Sequence, residues 1–194
     1  MKKCYNILRI GFTMLILLSA NFTLAKNKTP ATDLLKQYLI KTKFIELGHK
    51  VVNVRNIEAG LTFSANEPMK ITELQVRVPG IYEMLRVTIW DYDTQKVLRK
   101  EYMKVPQMSK KMIMKIKPFE LKKNKKYVIS MNFNDWYSRF NRASKNATYP
   151  IKLDEITIHD FRFTESGETE QIFPGKSVFN VYHGDLNFVV EKYH

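Results

Sequence analysis

Period-two alternation, turn residues between the alternating runs and the lack of a long 3.6-period segment predict an all-β fold, an antiparallel β-sandwich. Leu74, Val76 and Val78 alternate with Glu73, Gln75 and Arg77. Leu85, Val87 and Ile89 alternate with Arg86 and Thr88, and Tyr127, Ile129, Met131 and Phe133 with Ser130 and Asn132. Met112, Met114 and Ile116 alternate with Lys111, Lys115 and Lys117, although Ile113 breaks the pattern. Leu186, Phe188 and Val190 alternate with Asn187 and Glu191. Each run has strand length and one apolar face. Between and around the runs stand Asn66-Glu67-Pro68, Pro79-Gly80, Asp91-Tyr92-Asp93-Thr94, Lys123-Asn124-Lys125, Ser166-Gly167 and Pro174-Gly175, residues that favour reversals.

Taken in chain order, Met1–Ala25 has the pattern of a secretory leader. Lys2, Lys3 and Arg9 are basic, Ile10–Leu18 is apolar, and Thr23-Leu24-Ala25 suits cleavage before Lys26. The apolar stretch falls short of the roughly 20 residues that span a bilayer. The single cysteine, Cys4, precedes the apolar stretch, which argues against a lipid anchor at the cleavage point. The expected location is periplasmic, cell-surface or secreted. Beyond Cys4 the chain holds no cysteine, hence no disulfide framework, thiolate metal site or cysteine nucleophile. An exported protein of this size without disulfides is held by packing, which suits a bacterial envelope protein.

Residues 26–47 form a lead-in. Thr32 or Asp33 would cap a short helix carrying Leu35, Tyr38, Leu39 and Thr42 on one side. A packed helix, a tether, a segment giving peripheral membrane association and a partly ordered lead-in all remain open. The sandwich is expected over residues 48–194 as a single domain.

Charge is concentrated. The chain has 32 Lys and Arg against 19 Asp and Glu. Arg99–Lys126 alone holds Arg99 and ten lysines against Glu101 and Glu120, while the rest of the chain after the leader is close to neutral. Lys100, Tyr102 and Lys104 share one parity, and Lys115 and Lys117 another. If their strands pair, a cationic face results that attracts anionic glycans, envelope phosphates or nucleic acid. The alternative is a solvated face whose lysines guard a sheet edge against aggregation. Export disfavours nucleic acid as the physiological partner.

The order of features resembles a family of bacterial secreted β-sandwich modules catalogued as a domain of unknown function. Such modules occur alone or beside immunoglobulin-like and cadherin-like domains. The residues that carry the resemblance are Gly60-Leu61-Thr62-Phe63, Ile71-Thr72-Glu73-Leu74, Val87-Thr88-Ile89-Trp90-Asp91, Phe119-Glu120-Leu121 and Tyr127-Val128-Ile129-Ser130. Phe173-Pro174 follows, then Tyr182, Asp185, Leu186 and Phe188. The resemblance spans about residues 48–191. It implies a sandwich, jelly-roll or immunoglobulin-like, with an extracellular and non-catalytic role. The chain departs from the family in its lysine load and in an apparent loop over 135–149.

Motifs for catalysis are missing: no G-x-S-x-G elbow, H-E-x-x-H pair, phosphate-binding loop or dinucleotide fingerprint is present. No cofactor is expected. His49, His159, His183 and His194 are too scattered for a metal set. His183 and Asp185 read as a catalytic dyad without a nucleophile or as a turn pair at a sheet edge. Asp91 and Asp93 suit a hairpin turn, and lack the glycine and terminal glutamate of a calcium loop.

The segment Asn134-Asp135-Trp136-Tyr137-Ser138-Arg139-Phe140-Asn141-Arg142 mixes aromatic faces, amides, a carboxylate and two guanidiniums. Sugars stack on Trp and Tyr and hydrogen-bond to such polar groups, and protein interfaces favour the same residues. Alternatively Trp136 and Phe140 turn inward and plug one end of the sandwich. The sequence thus predicts an exported, non-catalytic binding module for an anionic polysaccharide or cell-surface glycan. The expected binding residues are Asp135, Trp136, Tyr137, Arg139 and Arg142 with Lys100, Tyr102, Lys104, Lys115 and Lys117. The alternative is a structural or accessory component that binds another envelope protein.

Overall fold

The predicted alternation is realised as two layers of antiparallel strands in a computed structural model, which describes residues 33–45, 48–52 and 55–193. The leader expected over Met1–Ala25, and the cap candidate Thr32, lie outside the described residues. Helix α1 (Leu34–Thr42) comes first, then β1 (His49–Val51), β2 (Ile57–Ala65), β3 (Met69–Arg77) and β4 (Tyr82–Asp91). Next are β5 (Val97–Val105), β6 (Met112–Leu121), β7 (Lys126–Phe133), β8 (Trp136–Phe140) and β9 (Ile151–Leu153). The last are β10 (Ile156–Glu165), β11 (Lys176–Val178), β12 (Val181–His183) and β13 (Asp185–Lys192).

The larger sheet runs β11-β10-β2-β7-β4-β5, with β9 also paired to β10. The facing layer consists of β13-β3-β6 and a small sheet, β1-β8-β12. Gly184 joins β12 to β13. Its φ of 80° is a left-handed conformation, and a Cβ there would lie 2.3 Å from Met131. Its N–H donates to the Tyr137 carbonyl, 3.0 Å away, and so links the two parts of the layer.

The core lies between the layers. Ala59, Leu61 and Phe63 of β2 meet Leu74 and Val76 of β3 and Leu186 and Phe188 of β13. Phe63 and Phe188 have ring centroids 4.8 Å apart. Burying one such side chain stabilises the fold by about 1.5–3 kcal/mol. Asp33 caps α1, its carboxylate accepting from the Lys36 N–H. Tyr38 on α1 is fully buried against Tyr182, Phe44 and Tyr149. The helix is part of the packed unit rather than a tether.

β2 is buried along its whole length, including the polar positions Glu58, Thr62 and Ser64 that face away from the core. The cover on part of this face is the strap over residues 166–175, which links β10 to β11. Gln171 donates to Thr88 at 3.0 Å, Phe173 packs edge-on against Trp90, and Asn132 donates to Ser166 at 2.8 Å.

Two expectations are corrected. The segment over 135–149 is not simply a loop, because Trp136–Phe140 forms β8 between β1 and β12. The lysine strands do not pair either. β5 ends the larger sheet and β6 ends the other, so Lys100 and Lys104 belong to one layer and Lys115 and Lys117 to the other. The chain crosses between layers at the β5–β6 turn, and the two strands touch through side chains, Arg99 donating to the Lys117 carbonyl at 3.2 Å, without forming a ladder.

Candidate functional site

Strand alternation places the candidate site. Along β8, Trp136 turns toward Phe133 and His183, with centroids 5.7 and 5.3 Å away. The alternate residues Tyr137 and Arg139 turn the other way, toward Asp185 and Arg77. Asp185 and Arg77 are cross-strand partners on β13 and β3. Arg139 grips Asp185 bidentately, Nε to Oδ1 at 2.7 Å and Nη2 to Oδ2 at 2.6 Å. Its Nη1 donates to the Ile45 carbonyl at 2.8 Å. Arg77 Nε donates to Asp185 Oδ2 at 2.8 Å, and its guanidinium lies 4.9 Å from the centre of the Tyr137 ring.

Two guanidiniums thus share one carboxylate, a net charge of +1. Arg139 is 1% exposed and Asp185 3% exposed. The triad forms the floor of a cleft of about 1170 Å³ between α1 and the layer beneath it. Asp33, Lys36 and Lys43 line it from the helix side, Asn141 and Arg142 from the segment after β8, and Lys111 from the chain entering β6. Six cationic side chains therefore line the cleft against Asp33 and Asp185. Lys111 lies 3.8 Å from Asp33. Lys36, Lys43 and Arg142 have no ion-pair partner among the described residues. Leu35, Leu39 and Ile40 give the helix wall an aliphatic surface.

The walls are braced by amides. Asn187 donates to Gln75 and to Asp33, both at 3.0 Å, and accepts from the Leu35 N–H at 3.2 Å. At the other end Phe44 bridges to Asn141. The start and the end of the helix segment are therefore tied to the strands, and the cleft is preorganised rather than formed by a loose helix.

Of the expected binding residues, Arg139 and Arg142 line this cleft, and Tyr137 supports Arg77. Trp136 is half-buried against the core. The Asp135 N–H donates to the Tyr82 hydroxyl at 3.0 Å, near the β3–β4 turn. Lys100, Tyr102 and Lys104 are exposed on β5, where Lys104 pairs with Glu83 at 2.8 Å. Lys115 and Lys117 are exposed on β6. Sequence reasoning missed Arg77, Asp185, Lys36, Lys43 and Lys111 as partners in one site. The available signal was the polar row Glu73, Gln75, Arg77, which shares a face with Asp185 and Asn187 once β3 and β13 pair.

His183 and Asp185 are not joined by a hydrogen bond. Asp185 is held by the two arginines, while His183 packs among Trp136, Phe161 and Phe163. Burial holds the His183 pKa down to about 4, so the ring is neutral near pH 7. Asp91 behaves as a turn residue: its carboxylate accepts from the Thr94 N–H at 2.9 Å and meets Lys125 at 2.5 Å. The Lys125 hydrogen bond, helped by Thr94, lowers its pKa to about 2. Among the described residues no group of three His, Cys, Asp or Glu is placed to hold a metal ion.

No protein-family model matches the chain, and no curated protein matches it either.

Proposed function

We propose that the chain is an exported, non-catalytic module that binds an anionic carbohydrate in the cleft between α1 and the β13-β3 strands. The observation that carries the reading is the excess of cations around a rigid Arg77–Asp185–Arg139 floor. Guanidiniums match carboxylate and phosphate groups geometrically, and Lys36, Lys43 and Arg142 line the cleft with no ion-pair partner among the described residues. The aliphatic helix wall accepts sugar C–H faces. Export follows from the leader pattern at Met1–Ala25, and the resemblance to secreted sandwich modules agrees with it.

The test is binding of the purified protein to polyuronate, polyphosphate-bearing and neutral polysaccharides at two salt concentrations. Saturable binding to one acidic class, weakened by salt, is expected. In Lys43→Ala/Arg142→Ala it should fall roughly tenfold, the equivalent of about 1.4 kcal/mol, with the melting temperature unchanged. Equal attachment to every polyanion, unaffected by that double variant, would overturn the cleft as the site.

A second reading has one observation in its favour. β5 and β6 each end a sheet, and their outer edges offer backbone groups to an added strand. A structural component of an envelope assembly would use them. Crosslinking from these edges to one protein in the native envelope, without glycan binding by the pure chain, would select this reading.

A further inference from the structure

The end of the sandwich formed by the β3–β4 and β5–β6 turns carries apolar side chains that the fold leaves in solvent. Ile81 is 58% exposed, Met84 67% and Met108 62%. They are neighbours by construction. The Ser109 N–H donates to the Val78 carbonyl at 2.8 Å, which ties one turn to the other. Tyr82 pairs with Val105, and the strand bulges between Tyr82 and Leu85, which places Met84 in the irregular stretch. None of the three is needed to close the core.

Lysines surround this end. Lys110 and Lys111 lie in the β5–β6 turn, Lys104 stands at the end of β5, and Lys100 and Lys115 follow on the exposed sides of β5 and β6. The acids at this end are Glu83, paired with Lys104, Asp135, whose carboxylate lies against Gly80 of the β3–β4 turn, and Glu168, near Tyr82, so the lysines outnumber them. Flexible aliphatic and thioether side chains thus project from two turns and the bulged start of β4, with ammonium groups behind them.

We propose that this end of the sandwich docks on an anionic bilayer surface, with Ile81, Met84 and Met108 entering the interface and the lysines held at the headgroups. A groove would suit a peptide, whereas Ile81 and Met108 project from two turns and Met84 from the bulged start of β4 into solvent. Projecting apolar tips backed by lysines are complementary to a surface that is apolar within and anionic outside. The expectation of peripheral membrane association, first attached to the lead-in, is here assigned to different residues. It shares Lys111 with the rim of the cleft, and its apolar side chains lie outside the cleft lining.

The experiment is co-sedimentation of the purified protein with vesicles of phosphatidylglycerol and phosphatidylcholine in equal parts, and with phosphatidylcholine alone. Binding to the anionic vesicles only, reduced by salt, is expected. Ile81→Ser/Met84→Ser/Met108→Ser should lower the vesicle-bound fraction at least roughly tenfold while leaving the melting temperature and cleft binding unchanged. Lys104→Glu/Lys110→Glu, at two lysines outside the cleft lining, should lower it similarly. Lys122→Glu/Lys123→Glu, which makes the same charge change in the β6–β7 turn at the opposite end, should leave most binding intact. Equal losses from both lysine pairs, or full binding by the triple serine variant, would overturn the proposal. So would absence of binding at low salt, or crosslinking of this end to a protein that persists after detergent removes the lipid.

Discussion

On the outer face of the seven-stranded sheet, Arg86 meets Glu58 at 2.9 Å, with both side chains buried. On the outer face of the other layer, Arg77 and Arg139 meet Asp185, also buried. The chemistry is similar and the surroundings differ. Arg86 is covered by the chain itself, because it donates to the Thr169 and Glu170 carbonyls of the 166–175 strap. Glu58 also accepts from Ser130 at 2.5 Å. Over Asp185 there is instead an open cleft with further cations at its rim. One buried ion pair holds a strap in place, and the other forms the floor of a cleft. A buried arginine–carboxylate pair therefore does not mark a binding site by itself; what distinguishes the second is the open, cation-rimmed cleft above it.

The largest expected effect tests the open side. Asp185→Ala leaves two guanidiniums facing each other, and one of them is almost fully buried. Arginine cannot shed its charge. Breaking such a pair should cost about 3–5 kcal/mol, measured by urea unfolding. A loss below about 1 kcal/mol, the range of exposed pairs, would show that the floor is solvated and not preorganised.

Arg86→Ala on the strapped side should be milder, about 2–3 kcal/mol, because a carboxylic acid can take up a proton where arginine cannot lose one. Burial already pushes the Glu58 pKa upward, against the hydrogen bonds from Ser130 and Arg86. The same substitution removes the donors to the Thr169 and Glu170 carbonyls. Limited proteolysis should then cut within 166–175 first. An uncut strap in Arg86→Ala would show that Gln171 and Phe173 hold it without the arginine.

The two sides were also unequally legible in the sequence. Alternation in β3, β4, β7 and β13 is strong because each has one face on the core, and so the sandwich could be read. β2 was legible only through the resemblance: its outward Glu58, Thr62 and Ser64 are buried, and part of that face is covered by a strap from about a hundred residues further along. β8 was read as a loop because its five residues alternate aromatic with polar on both faces, one against the core and one toward the cleft. Arg139 and Arg142 were picked out as chemistry-bearing residues, yet Asp185, Arg77 and the α1 lysines could not be joined to them. Strand order across the layer, not local pattern, brings them together. The lysine rows show the opposite failure: parity within each strand was read correctly, but the pairing that would have merged them does not occur.

The smallest expected effect separates the two sides by pH. His183 lies on β12, one residue from Gly184 and two from Asp185, and its ring packs on the core side against Trp136 and against Phe161 and Phe163 of β10. Its Nδ1 is buried with no hydrogen-bond partner among the described residues, and burial disfavours the charged ring and lowers the pKa from 6.5 to about 4. The unfolded chain takes up a proton as the pH falls below about 6.5, while the native ring stays neutral down to about 4. Stability contributed by the neutral ring is therefore full above about 6.5 and declines as the pH falls toward 4. At about pH 5.5 the loss amounts to about 1.4 kcal/mol. His183→Leu should flatten this slope, and hydrogen exchange in β12 and β13 should rise in acid before exchange in β2 and β7 does. Acid then loosens the cleft layer at His183, and the strapped sheet at the His159–Ser64 contact, where burial also lowers the histidine pKa. An unchanged slope in His183→Leu would place the acid sensitivity elsewhere and leave the two sides indistinguishable by pH.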